Sequence, residues 1–246
     1  DRQALKAAFA EASEEIGAGN VVVQELIPGG GRNQFSYAAL WLNGEPVAEF
    51  TARRVRQYPV DFGYTSTRVE IVDNPSAIDA ARTILRSAGH SGLVEVEFKF
   101  DDRDGTLKLL DVNPRPWSWF GLCSAAGIDL GALLWRAANE EPTGEPVKAR
   151  NGTSWSYLVR DLVAAFTLGR RGEVRAADYL AALAKVRSWA AFALNDPLPG
   201  LIDLPLTAFR VLKKRILPGL SSRQPAGLFL QPVKRLVKYT VIRAGL

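Results

Sequence analysis

Acidic and amide side chains recur on two predicted strands at spacings that suit a divalent cation. Side chains alternate between the two faces of a strand, so Glu95, Glu97 and Lys99 share one face of the first strand. Asp111 and Asn113 share one face of the second. If the strands pair through the turn between them, Glu97 can lie opposite Asp111. Magnesium prefers carboxylate and amide oxygens, so Glu97, Asp111 and Asn113 are predicted to bind Mg²⁺ together with waters and phosphate oxygens.

A basic side chain stands directly beside this predicted metal site. Arg115 follows Asn113 by two residues, where its planar guanidinium could bind a phosphate group. The alternative interpretation is a solvated sheet face on which Lys99 neutralises the carboxylates. The residue pattern alone leaves both interpretations open.

A pair of arginines follows the first predicted hairpin. Arg54 and Arg56 have the spacing of two side chains on one face of a strand, and could bind phosphates or a substrate carboxylate. They could equally be charges on a solvated edge strand, where such residues oppose aggregation.

The hydrophobic pattern of the first half mixes helical and strand periods. Asn43-Gly44 separates two apolar runs and predicts a tight hairpin. The predicted fold class is α+β, with a largely antiparallel sheet and flanking helices. Predicted helices cover residues 4–16, 76–87 and 130–139, and predicted strands cover residues 21–27, 35–42, 46–51, 92–100 and 107–112.

Composition excludes several classes of site. The chain of 246 residues contains one cysteine and one histidine, which excludes an internal disulfide and a cysteine-based metal cluster. The same counts argue against zinc hydrolases and serine or cysteine triads. Low cysteine use fits a reducing, cytoplasmic setting. No apolar run reaches the length of a membrane-spanning helix.

The charge distribution divides the chain near Lys148. Residues 1–147 carry 14 basic and 21 acidic side chains, whereas residues 148–246 carry 17 basic and 5 acidic ones. A break of this size, beside a stretch rich in Pro and Gly, predicts two functional regions with a boundary between residues 147 and 148.

The second region has helical periodicity with interleaved basic and apolar residues. The predicted helices cover residues 156–168, 176–194 and 206–217. A basic amphipathic helix is typical of a protein that binds an anionic membrane surface, which predicts a peripheral position at the inner face of the membrane. The alternatives are a helical extension packed on the first region and nucleic-acid binding, for which no recognised motif is present.

Two motifs carry a resemblance to a known family. Leu110-Asp-Val-Asn-Pro-Arg-Pro-Trp117, preceded by Val94-Glu-Val-Glu-Phe-Lys99, resembles the carboxy-terminal half of ATP-grasp ligases. The similarity is greatest to carboxylate–amine ligases of the D-aspartate-ligase type. It covers about residues 1–140, and the family signature falls on Asp111, Asn113, Pro114 and Arg115, with Glu97 as the first metal-binding acid.

The resemblance also assigns roles to an upstream segment. ATP-grasp enzymes bind adenine through a hinge between two subdomains, and Gln24, Glu25, Leu26 and Ile27 resemble that hinge. The resemblance implies that the Glu25 carbonyl accepts from the exocyclic amine and that the Ile27 amide donates to a ring nitrogen. It also places a basic pair at the positions of Arg54 and Arg56.

What the resemblance implies about function is ATP-dependent ligation. The γ-phosphate of Mg-ATP would pass to a substrate carboxylate, and an amine would attack the resulting acyl phosphate to form an amide. Glu97, Asp111 and Asn113 would hold magnesium, and Arg115 would stabilise the transferring group.

The alternative is a non-catalytic scaffold that retains a nucleotide-binding fold and lies at a membrane surface. In either case the family's Gly-rich phosphate loop is not found in residues 1–20. This chain is therefore expected to be incomplete for turnover by itself.

Overall fold

The computed structural model describes residues 1–61, 63, 65–144 and 147–216, with the side chains of residue 208 and of residues 210–216 left out. The chain divides into two compact units. One contains residues 29–210, and the other contains residues 1–28 and 211–246.

Within the larger unit, seven strands form one sheet in the order β5-β4-β1-β2-β3-β6-β7. All neighbours pair antiparallel except β6 and β7, which run parallel. The α+β fold class predicted from the sequence is confirmed. The strands are β1 (Gln34–Leu42), β2 (Glu45–Tyr58), β3 (Thr65–Val72), β4 (Gly92–Asp101), β5 (Thr106–Asn113), β6 (Ser154–Ser156) and β7 (Val186–Trp189).

Seven helices accompany the strands in the described residues. α1 belongs to the smaller unit, and α7 runs across the boundary between the two units. The helices are α1 (Arg2–Ile16), α2 (Pro75–Ser87), α3 (Leu122–Ala125), α4 (Leu130–Ala138), α5 (Leu158–Arg170), α6 (Ala176–Leu183) and α7 (Leu198–Ile216).

The predicted first hairpin is present, and its turn explains why. Asn43 and Gly44 both have positive φ, 53° and 81°. Asn and Gly tolerate this conformation, and the resulting turn matches the twist of the two strands. β1 and β2 pair from the turn outward, with Leu42 opposite Glu45.

Each face of the sheet carries its own hydrophobic core. α2 covers one face with Ala77, Ala81 and Leu85, which recur at helical spacing and are fully buried. The other face is covered by α3, α4 and the segment that contains Trp117 and Trp119. That second cover reaches only part of its face, and the remainder carries polar side chains.

Two sequence predictions fail in the described residues. Residues 21–27 form no strand, because the described chain provides no partner that pairs with them. The predicted helix over residues 176–194 ends at Leu183, and Val186–Trp189 pairs with β6 instead. Helix α5 confirms most of the prediction for residues 156–168. The last predicted helix, residues 206–217, falls within α7 except for residue 217, which lies outside the described residues.

The basic region contributes to the same sheet as the acidic region. Ser154–Ser156 pairs with β3, and residues 29–210 form one compact unit that contains the predicted boundary at residues 147 and 148. The division into a nucleotide region and a basic region remains a prediction about function.

A buried ion pair joins α5 to the sheet. The Arg56 guanidinium donates to both carboxylate oxygens of Asp161, at 2.8 and 2.7 Å. The Thr67 hydroxyl donates to the same carboxylate at 2.9 Å, and the Asp161 side chain is completely buried. Because neither charge can reach water, each depends on the other for compensation.

We expect Asp161→Asn to lower the free energy of unfolding by about 3 kcal/mol, because it leaves the buried Arg56 charge without its carboxylate. Urea unfolding followed by circular dichroism measures the change. The matched control is Asp61→Asn, which removes an exposed pair with Arg171 of similar geometry, at 2.6 and 2.8 Å. That change is expected to be below about 1 kcal/mol. Equal losses in the two variants would contradict the assigned importance of burial.

Candidate active site

The second hairpin brings the predicted metal-binding residues to one face of the sheet. In the pairing of β4 with β5, Glu97 lies opposite Asp111, and Glu95 lies opposite Asn113. Directly opposed residues of antiparallel strands project to the same face. The cross-strand placement predicted for Glu97 and Asp111 is therefore confirmed. These four residues are called the acidic cluster below.

The strand on the other side of β4 adds polar groups to this cluster. Ser36 lies opposite Glu97, and Gln34 lies opposite Lys99. The Gln34 side-chain amide donates a hydrogen bond to Glu97 Oε2. Sequence reasoning did not place Gln34 and Ser36 with the acids, because pairing of β1 with β4 connects segments about 60 residues apart.

Arg54 supplies the charge that balances Glu97. Its Nη2 lies 3.2 Å from Glu97 Oε2, and its Nη1 donates to the Gly63 carbonyl at 3.1 Å. The alternative interpretation had Lys99 neutralising the carboxylates of this face. In the described residues the cation that contacts Glu97 is Arg54. Burial lowers the pKa of Lys99, and the neighbouring Arg54 charge lowers it further.

Arg54 is itself nearly buried, with 9% of its side chain exposed. Burial lowers its pKa, while the carboxylates of Glu97 and Glu95 oppose that shift. The absence of a side chain at Gly63 permits the close approach of this loop, because a Cβ there would lie 2.4 Å from the Cβ of Gln57. The loop carbonyl and the two acids together fix the guanidinium on the site face.

Arg56 does not join Arg54. The β2–β3 register shifts between Arg54 and Arg56, so the two arginines no longer follow the simple alternation of a strand. Gln57 approaches Arg54 instead, with its Oε1 3.4 Å from Arg54 Nη1. The expectation that Arg54 and Arg56 share a face is therefore wrong, and the Arg56 guanidinium is occupied by Asp161.

Glu95 is the least exposed member of the acidic cluster, and sequence reasoning gave it no role. Only 3% of the residue is exposed, and its Oε1 has no hydrogen-bond partner among the described residues. Burial raises its pKa to about 8, and the adjacent Glu97 carboxylate adds to the shift. Hydrogen bonding to Ser36 and Trp119 and the charge of Arg54 act in the opposite direction. Strand alternation places Glu95 on the same face as Glu97, and that pattern could have identified it as part of the site.

Arg115 lies beside the end of β5, as the sequence predicted. Its Nη2 donates to the Asn113 side-chain oxygen at 3.1 Å, and its Nη1 donates to the Pro116 carbonyl at 3.1 Å. Asp111 is exposed, and one of its carboxylate oxygens accepts from the Val112 amide at 2.9 Å. The acidic cluster thus runs from a buried acid at Glu95 to an exposed one at Asp111, and Arg115 lies beside it.

The two tryptophans near Arg115 are core residues. Trp117 and Trp119 are 6% and 2% exposed, and their ring centroids lie 5.2 Å apart. Trp119 also packs edge-on against Phe50 of β2. They close the apolar part of the site face and border the acidic cluster at Glu95.

The predicted adenine hinge lies in the smaller unit. Gln24, Glu25 and Leu26 are exposed and have no regular secondary structure, whereas Ile27 is buried. Their proposed contacts with a nucleotide remain a prediction.

The donor set of the cluster fits a hard cation that takes further ligands from its substrate. No group of three or more His, Cys, Asp or Glu side chains with metal-binding geometry occurs in the described part of the chain. A cation here would therefore need the Asn113 oxygen and non-protein oxygens in addition to Glu97 and Asp111. Magnesium commonly binds through one or two carboxylates, waters and phosphates.

The raised pKa of Glu95 predicts a pH-dependent stability. The folded protein holds this proton more tightly than the unfolded chain, whose glutamate has the ordinary value of 4.5. The stabilisation is complete below pH 4.5 and is lost as the pH rises towards about 8. In buffer free of divalent cations, the free energy of unfolding should fall across this window by at most about 1.4 kcal/mol per pH unit.

Urea titrations at several pH values test this expectation. Glu95→Gln resembles the protonated acid and should remove most of the slope. A slope that is unchanged in Glu95→Gln would assign it to other groups.

One family model matches the part of the chain that contains this site. Residues 41–160 match the family described as ATP-grasp in the biosynthetic pathway with Ter operon. No curated protein matches the chain by sequence.

Several solved structures resemble part of the chain. Pyruvate carboxylase from Rhizobium etli is 17% identical over 61% of this chain and 14% of its own, with a TM-score of 0.46. The biotin carboxylase domain of Hydrogenobacter thermophilus 2-oxoglutarate carboxylase, in complex with MgADP, ADP and bicarbonate, is 16% identical over 62% and 34%, with a TM-score of 0.45. The phosphoribosylaminoimidazole carboxylase ATPase subunit from Aquifex aeolicus is 15% identical over 46% and 36%, with a TM-score of 0.38.

The matched part of this chain therefore covers between 14% and 36% of the length of these three solved chains. The acidic cluster and Arg115 both lie within the residues that match the family. Residues 41–160, a little under half of the chain, are therefore similar to ATP-grasp proteins.

Proposed function

We propose that the protein carrying this chain is an ATP-dependent carboxylate–amine ligase that forms an amide through an acyl phosphate. The observation that carries the proposal is the register of β4 and β5, which opposes Glu97 to Asp111 and sets Asn113 beside Arg115. The family match over residues 41–160 supports an ATP-dependent ligase in general. The type of ligation is the finer part of the proposal.

Magnesium would be held by Glu97, Asp111 and Asn113. In the part of the chain that the structure describes, the hydrogen bonds from Gln34 and Arg54 to Glu97 both fall on Oε2, and Oε1 of the same carboxylate is available for a cation. When bound, the ion would neutralise charge on the phosphates of ATP.

The protein's own residues would act by position and charge. Arg54 fixes Glu97, and Asn113 fixes one edge of the Arg115 guanidinium. Arg115 then presents its remaining donors towards a transferring phosphoryl group, where a planar cation stabilises charge on the oxygens. Phosphoryl transfer depends mainly on such positioning and needs no side-chain nucleophile.

The proposed reaction has two steps. A substrate carboxylate oxygen bonds to the γ-phosphorus of ATP as the bond to ADP breaks, which gives an acyl phosphate and ADP. An amine nitrogen then bonds to the acyl carbon, inorganic phosphate leaves, and the nitrogen loses a proton to solvent. The one cysteine of the chain fits this scheme as a bystander, because burial raises the pKa of the Cys123 thiol to about 12.

Adenine is proposed to bind along Gln24–Ile27 through the backbone, as the family resemblance implies. The remaining phosphate contacts are expected from parts of the protein other than residues 1–20. Arg56 is left out of the proposed site because of its pair with Asp161.

A membrane-surface role for the basic region is a second proposal. Apolar side chains of α7 are exposed, with Leu201 at 65%, Leu204 at 59% and Phe209 at 59%. An amphipathic basic helix of this kind would bring the ligase to the cytoplasmic face of an anionic membrane. Among the described helices, none is both long and apolar enough to cross a membrane.

Asp111→Asn, made in the full-length protein that carries this chain, tests the ligase proposal. It removes a charged magnesium ligand, so ATP-dependent ADP release with a carboxylate and an amine supplied should fall by roughly 100-fold, or about 3 kcal/mol of transition-state stabilisation. Coupled-enzyme assays of ADP measure the change. Because Asp111 is exposed, the substitution should shift the protein's free energy of unfolding by less than about 0.5 kcal/mol.

The control variant is Asp73→Asn, which removes an exposed acid outside the acidic cluster and should leave ADP release unchanged. Equal activity of wild type and Asp111→Asn would remove the metal role. ATP binding without any ATP-dependent product would favour the non-catalytic scaffold.

Vesicle co-sedimentation tests the membrane proposal. Binding to vesicles rich in phosphatidylserine should weaken as salt is raised, because screening shortens the range of the attraction. Removal of residues 206–246 should abolish it. Binding that ignores lipid charge would contradict the proposal.

A further inference from the structure

A basic pocket of about 600 Å³ lies in the larger unit, at the amino-terminal ends of β6 and β7. The loop before β6 contributes Arg150, Asn151 and Thr153, and the connection from α6 to β7 contributes Lys185 and Arg187. The end of α3 closes one side at Ala125. Three segments that are distant in sequence thus meet around one concavity.

The pocket has one sign of charge. Arg150, Lys185 and Arg187 all line it, and no acidic side chain of the described chain does. None of the three forms an ion pair with a described carboxylate. Cations that line one pocket repel one another, and a bound anion would relieve that repulsion.

Arg150 is held in place despite its exposure. Its Nη2 donates to the Ala125 carbonyl at 2.8 Å, and its backbone amide donates to the Ala126 carbonyl at 3.0 Å. The guanidinium lies against Gly127, where a Cβ would come within 3.9 Å of it. Among described partners, the side chain uses one of its five donors in this way, and the others stay available for an anion.

The two loops that form the pocket are tied to each other and to the sheet. The Ser154 hydroxyl donates to the Lys185 carbonyl at 3.2 Å, and the Gly152 amide donates to the Ile71 carbonyl at 3.0 Å. A buried cation also approaches this connection, since Arg68 Nη2 donates to the Ala182 carbonyl at 2.7 Å. The pocket is therefore preformed and electropositive.

We propose that this pocket binds a small molecule through a phosphate group. Three cations exceed what a single carboxylate can neutralise, whereas a phosphate monoester carries a charge of roughly −2 and has three acceptor oxygens. The volume lies in the range of small-molecule sites. Among the described residues no aromatic side chain lines the pocket to stack a base, which favours a compact phosphate over a single-stranded nucleic acid.

The site is separate from the acidic cluster and does not depend on the proposed ligase activity. Its residues lie on the loop before β6 and on β7, whereas the cluster lies on β4 and β5. Variants of one site therefore test it without removing the other.

Isothermal calorimetry with inorganic pyrophosphate tests the proposal. The buffer contains EDTA, so that magnesium cannot recruit pyrophosphate to the acidic cluster. The full chain should bind, and the triple variant Arg150→Gln, Lys185→Gln, Arg187→Gln should bind at least about tenfold more weakly. Added pyrophosphate should also slow amide exchange in residues 150–153 and 184–187.

The matched control removes three exposed cations elsewhere, as Arg2→Gln, Lys6→Gln and Arg136→Gln. It should change the affinity less than twofold. Circular dichroism checks that each variant is folded. Equal weakening in the pocket and control variants would overturn the proposal, because it would show a response to net charge alone.

Two further arms identify the source of the phosphate. Binding of pyrophosphate assigns a soluble molecule, and binding of phosphatidic acid vesicles that the triple variant loses assigns a lipid headgroup. Either result supports a phosphate site. Binding of a single-stranded oligonucleotide without pyrophosphate or vesicle binding would overturn it, as would no binding in any arm.

Discussion

The contact between Arg54 and Glu97 is the constraint on which the site face depends. Arg54 lies on β2 and Glu97 on β4, so the contact at 3.2 Å crosses the intervening strand β1. Without a cation there, Glu95, Glu97 and Asp111 would place three carboxyl groups on neighbouring positions of two strands. Like charges directly opposite each other destabilise a sheet, and partly buried ones do so more strongly. Arg54 permits this face to be both folded and acidic, and it leaves one oxygen of Glu97 for a ligand.

Along the strands, the same face changes from buried apolar side chains to the polar side chains of the candidate site. Towards one end, Ala38, Leu40 and Phe50 are buried under Trp119 and the helices that follow it. Towards the other end the positions become polar. Glu95 stands at the border, buried beside Trp119 but adjacent to Glu97. Its raised pKa is the electrostatic result of a carboxyl group that is placed under the edge of an apolar core.

Local signals predicted the parts of this arrangement that local physics determines. The positive φ of Asn43 and Gly44 explains why that dipeptide foretold the first hairpin, and strand alternation correctly paired Glu97 with Asp111. What failed depends on distant partners. Arg56 was expected to share a face with Arg54. The register shift separates the two side chains, and Arg56 pairs with Asp161, which lies 105 residues further along the chain. Residues 21–27 have the composition of a strand, yet a strand exists only where another chain segment pairs with it. Gln34 was missed as a neighbour of the cluster for the related reason that β1 had to pair with β4 before its position was known.

Charge and fold divide this chain at different places, and the Arg56–Asp161 pair shows how. The excess of basic residues begins near residue 148, but the sheet continues into the basic region through β6 and β7. Asp161 is one of only five acids among residues 148–246, and it is completely buried against an arginine of the acidic region. The Asp161 carboxylate therefore joins α5 to the sheet and adds no negative charge to the surface. In the pocket of Arg150, Lys185 and Arg187, the cations have no counterion among the described residues. One sheet thus supports two sites of opposite charge. The acidic cluster on β4 and β5 attracts a cation, and the basic pocket beyond β3 attracts an anion.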